Sequence, residues 1–180
     1  MRWSSLALVA GVSVMFSTVV SGNARAQEAA LDDATIVAIF DAANTAEIET
    51  GSLAAQRGST QEVRDFGAML ARDHKAVRQQ GRDLAAKLGV TPTPPKDDQA
   101  AKDHAAAMAR LRSLEGAAFD SAFLKHEAEF HQAVIGAVNT TLLPAIQSEE
   151  LKALVVKVAP AFEAHMKMAR ELEKKAAQRA

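Results

Sequence analysis

The 180-residue chain contains no cysteine, so disulfides and thiolate-held metals or clusters are excluded. It has no tyrosine and one tryptophan, Trp3, and its seven phenylalanines are spread along the sequence. Such a set makes a poor stacking platform for bases or sugars. Neither sign of charge dominates: 21 Lys and Arg face 22 Asp and Glu, so no basic surface for nucleic acid is expected. Glycine-rich phosphate loops and Gly-x-Ser-x-Gly nucleophile motifs are missing, which removes support for nucleotide-dependent and hydrolytic chemistry. The longest apolar stretch, Leu6 to Val20, is broken by serine, threonine and glycine and is shorter than the about 20 residues a membrane helix needs.

That stretch follows Arg2 and precedes Ala24-Arg25-Ala26, the layout of a secretory signal cleaved after residue 26. The expected mature chain, 27–180, has 154 residues and a net charge of −3, suited to one domain with its core over about 31–175. It is expected to be exported, to the periplasm, to an association with the outer membrane or to the medium, with no integral span after cleavage.

What remains is rich in Ala, Leu, Lys, Glu and Gln, with apolar residues at helical spacing and no alternating strand pattern. A first helix is predicted from Asp32 or Asp33 to Gly58, with Ile36, Phe40, Glu47 and Thr50 on its inward stripe. Ser59-Thr60-Gln61-Glu62 has capping-box form and opens a second helix, with Phe66, Leu70, His74 and Val77 inward, ending at Gly89. Thr91-Pro92-Thr93-Pro94-Pro95 cannot be a helix interior and is read as a linker. A shorter helix from Lys96 to Glu115, with Pro94 near its start, is followed by a fourth from about Ala117 to Leu142. The last starts after Ser148 and contains Pro160, where a kink or a freed Val156 carbonyl is expected. The architecture expected is all-α: an up-down four-helix bundle of two antiparallel hairpins, with the short helix in the long connection.

Three histidines, His74, His131 and His165, fall on the inward stripes of three different helices, and Glu47 and Glu127 fall on the inward stripes of the first and fourth. Buried imidazoles and carboxylates require hydrogen-bond partners or a metal. Glu127 and His131 are four residues apart and share a helix face. In the last hairpin, Glu127 and His165 lie equally far from a turn at Ile146 and should face each other; in the first, Glu47 and His74 are offset by roughly 7 Å.

Ala46 to Ala54, Met69 to His74, Gly116 to Asp120, the His131 helix and Pro160 to His165 together resemble the exported bacterial family called domain of unknown function 4142. The resemblance spans about residues 31 to 175 and implies a ferritin-like bundle. A ferritin-like di-iron site takes two Glu-x-x-His motifs. Here Ala71 precedes His74 and Phe162 precedes His165 at that spacing, so two irons held by carboxylates are disfavoured. Two readings stand. In one, Glu47, His74, Glu127, His131 and His165 hold a transition metal such as zinc, iron or copper, for storage, sequestration or stress protection. In the other, an envelope or interaction protein uses them only as a polar network that fixes helix register, with Pro160 freeing an acceptor near His165. No catalytic residue is assigned. His104 and His126 are read as surface or edge positions, and Asp73 as an outer acceptor.

Overall fold

A computed structural model describes residues 31–178, which are helical with short connections and contain no strand. The signal segment lies outside the described residues. α1 (Asp33–Arg57) and α2 (Gln61–Leu88) form one antiparallel hairpin. α3 (Gln99–Arg112) fills the connection, and α4 (Gly116–Ala137) pairs with α6 (Glu149–Gln178) as the second hairpin. Between the last two lie a π-helical segment, Val138–Leu142, and the single turn α5 (Leu143–Ala145). The expected all-α bundle is what the chain forms, and none of the described helices is long and apolar enough to cross a membrane.

Local chemistry sets the helix ends. Asp32 caps α1 by accepting from the Thr35 N–H at 2.8 Å. α2 is capped by Thr60, accepting from Val63 N–H at 3.3 Å, one residue later than the Ser59 capping box predicts. Ser59 is drawn away by Asp120, whose carboxylate accepts from its N–H at 2.8 Å and its hydroxyl at 2.6 Å. Gly89 ends α2 at φ 66°, a left-handed conformation that glycine adopts without Cβ strain. The predicted start of α3 is also corrected: its cap is Asp98, bonded to Ala101 N–H at 2.9 Å, so the helix begins at Gln99 and not at Lys96. A carboxylate that satisfies an open N–H outcompetes a proline that satisfies none. α6 continues through Pro160, and the Val156 carbonyl that proline cannot pair belongs to an exposed residue.

Two apolar clusters form the core. One joins Ile36, Phe40, Val77, Leu151, Val155 and Phe162; the other joins Ala54, Phe66, Leu70, Phe119, Phe123 and Ala169. Along the long helices, Glu47, His74, His131 and His165 fall between these two sets, and Glu127 lies one turn before His131 at the edge of the second. The α1–α2 seam beside this layer is closed by backbone. A Cβ on Gly51 would lie 2.7 Å from the Gly67 carbonyl oxygen, and one on Gly67 would lie 2.6 Å from that of Gly51. Only glycine at both positions allows that approach.

Candidate metal centre

The bundle brings Glu47, His74, Glu127, His131 and His165 into one buried layer. All five are at most 4% exposed. The His74, His131 and His165 rings stand 5.3 to 5.6 Å apart, centre to centre, and Phe162 stacks on His74 at 5.7 Å. One Glu47 oxygen lies 3.7 Å from His74 Nε2 and 3.6 Å from His131 Nε2, and a Glu127 oxygen lies 3.7 Å from His131 Nδ1. One donor atom from each of the three histidines fits within 4.8 Å of the others, as does one each from Glu47, Glu127 and His131.

Each histidine is anchored on its outer side, and each anchor decides which nitrogen carries the proton. Asn44 is buried on α1, and its amide NH2 donates to the Phe40 carbonyl at 2.8 Å. Its oxygen is therefore left to accept from His74 Nδ1–H at 2.9 Å, which places the His74 lone pair on Nε2. His131 Nδ1–H donates to the Glu127 backbone carbonyl at 2.9 Å, an acceptor only, so its lone pair is also on Nε2. His165 Nε2–H points to the Asp73 carboxylate at 3.3 Å, leaving its lone pair on Nδ1. The three remaining nitrogens, and all four oxygens of Glu47 and Glu127, are buried without a hydrogen-bond partner from the described residues.

Burial makes the imidazoles neutral. It pushes His74 down to about 3, helped by His131 and His165, and His131 down to about 4 against the opposing bond to the Glu127 carbonyl. His165 is lowered by burial and raised in part by Asp73. The carboxyls move the other way. Burial, then the charge of Glu127, carries Glu47 well above the carboxylate range. Burial carries Glu127 to about 7, held back in part by the neighbouring Glu47 and Thr50 side chains. The two acids titrate as one pair, in which burial favours the protonated form.

The placement differs from the register expected along the helices in two respects. Glu127 meets Glu47 and His131, while His165 meets the other two rings and Asp73. The acceptor near His165 is thus Asp73 on α2, and not a carbonyl freed by Pro160. Asp73 is an outer acceptor as anticipated, although it serves His165 across the bundle and not its neighbour His74. His104 lies at the edge, paired with Glu49 at 2.9 Å, and His126 is partly exposed. Asn44 was not singled out along the sequence. The available signal was a poor helix former three residues before Glu47, on the same stripe.

A family model described as "Domain of unknown function (DUF4142)" matches residues 19–172. No curated protein and no solved structure matches the chain.

Proposed function

The chain belongs to the DUF4142 family, whose description names no activity, and from the chemistry of its buried layer we propose that it binds one transition-metal ion per chain. The observation that carries this reading is the convergence of acceptors. Three imidazole lone pairs and four carboxylate oxygens are gathered in one layer, with no hydrogen-bond partner among the described residues. A buried polar group without a partner costs about 1–3 kcal/mol, more when charged, so such a layer is poor architecture unless a cation completes it. A divalent ion would balance the charge of the two carboxylates once they are deprotonated.

His74 Nε2, His131 Nε2, His165 Nδ1 and the Glu47 carboxylate are the ligands, with Glu127 at the same layer. Imidazole with carboxylate suits zinc, iron or copper and disfavours calcium and magnesium, which prefer all-oxygen cages. The count of one follows from His131. It belongs to both groups of donors, but its Nδ1 is committed to a carbonyl, so a single nitrogen must serve both. A carboxylate-bridged pair of irons is disfavoured on the same ground. Such an ion would supply Lewis-acid or redox capacity in a fully buried layer; two cavities among the described residues lie elsewhere, at one end of the bundle and on the α4–α6 surface. Metal sequestration in the cell envelope is the role we assign to a site enclosed in this way. A purely register-fixing network is less well supported, because such a network would pair the atoms left without partners.

The test is elemental analysis of the mature, tag-free protein purified without chelator, followed by titration of the stripped protein with Zn2+, Co2+ and Cu2+. One equivalent of tightly held ion, a raised Tm and loss of both in His74→Ala, His131→Ala and His165→Ala variants that still fold is the expected result. No bound ion and an unchanged Tm across the series would move the assignment to the structural network.

A further inference from the structure

A buried site needs a route by which an ion reaches it, and the surroundings close most routes. The two apolar clusters cover the layer at both ends. The α1–α2 seam is sealed by the Gly51–Gly67 backbone contact. The outer anchors of His74 and His131 end inside the protein, on buried Asn44 and on the carbonyl of buried Glu127. His165 alone has an anchor that reaches solvent. The Asp73 side chain is 34% exposed, and its carboxylate is split between inside and outside: Oδ2 faces His165 Nε2 at 3.3 Å, and Oδ1 takes the exposed Arg72 guanidinium at 2.9 Å.

Resting on the metal-site reading above, we propose that Asp73 on α2 is the entry ligand of the site, the first group that binds a divalent cation arriving at the α2–α6 seam and passes it to His165. The chemistry matches the position. A carboxylate at the surface attracts and partly desolvates a cation. An exposed ion pair such as Arg72–Asp73 is weak and opens readily, which frees Oδ1 for the cation. His165 stands between that carboxylate and the layer, with Nδ1 already aimed inward without a partner. Once the ion has passed, Asp73 remains hydrogen-bonded to His165 as its outer anchor, so the residue governs rate of loading more than final occupancy.

Stopped-flow loading of the stripped protein with Co2+, followed by its visible absorption, separates the two roles. Asp73→Asn keeps an oxygen to accept from His165 Nε2–H and removes the charge. It is expected to slow both Co2+ uptake and removal by chelator by about tenfold while the final stoichiometry stays at that of the wild type. Arg72→Ala is expected to accelerate uptake, an opposite sign that loss of folding cannot imitate. Asp83→Asn, a neutralisation ten residues further along α2, is the control for general charge. Uptake by Asp73→Asn at the wild-type rate, or slowed no more than by Asp83→Asn, overturns the proposal, as does Arg72→Ala that loads no faster. A wild-type protein that takes up no Co2+ at equilibrium overturns the site itself, a separate result.

Discussion

Replacing Glu127 by glutamine should stabilise the metal-free protein, and the effect should depend on pH. Glu127 is fully buried, and burial holds its carboxyl at about 7 instead of the 4.5 of an exposed glutamate. At about 1.4 kcal/mol per pH unit, ionising it inside the fold costs about 3 kcal/mol. The folded protein holds this proton more tightly than the unfolded chain. The penalty is therefore absent below pH 4.5, grows as pH rises, and is complete above pH 7. Glutamine has nearly the same shape and carries no charge at any pH. In chelator at pH 8, the Glu127→Gln protein should be more stable by about 3 kcal/mol, roughly 6–12 °C in Tm for a chain of this size, with little difference at pH 4.5. Urea unfolding followed by circular dichroism at the two pH values measures it. With one equivalent of Zn2+ the order should narrow or invert, because the variant has lost a carboxylate at the layer. A glutamine variant that is less stable than the parent at pH 8 without metal would refute the reasoning, since Glu127 would then be supporting the fold. An equal gain at both pH values would show that ionisation is not the cause.

Asn44→Ala removes the group that holds His74 Nδ1–H; zinc affinity measured by competition with a chromogenic chelator should fall about 10–100-fold, with stoichiometry unchanged. The metal-free protein should also be acid-sensitive through its histidines. His74 at about 3 in the fold binds its proton more weakly than the unfolded chain, so its contribution is fully present above pH 6.5 and falls by about 1.4 kcal/mol per pH unit as pH drops toward 3. His74→Leu should flatten the dependence of urea midpoint on pH over that window, and an unchanged slope would exclude His74 as its source. Gly67→Ala puts a methyl 2.6 Å from the Gly51 carbonyl oxygen, so it should destabilise by about 1–3 kcal/mol in urea unfolding even though alanine is the better helix former. A neutral or stabilising result would mean that α1 and α2 separate at little cost.

Much of this protein is legible before any coordinates. Helical spacing of Ile36, Phe40, Leu70, Val77 and Phe162 marks the inward faces, because a 3.6-residue period admits one buried stripe per helix. The same stripe places Glu47, His74, Glu127, His131 and His165 inside, which only requires each to be in phase with its apolar neighbours. Helix ends are less legible. Ser59 and Thr60 are equal candidates for a cap until Asp120, 61 residues away, takes Ser59, and Asp98 displaces the proline start by a contact of its own.

The sequence by itself determined the helices, the two-hairpin order and the polar residues that had to be buried, because these follow from periodicity, capping and proline placement within a few turns of chain. Only the tertiary structure decided which atoms meet. Pairing Glu47 with Glu127, sending His165 to Asp73 and assigning His74's proton through Asn44 to Phe40 depend on helix rotation and axial offset. Those are set by packing between distant segments, the Gly51–Gly67 approach of α1 to α2 among them, and a shift of one residue along a helix turns each side chain by about 100° and moves it about 1.5 Å.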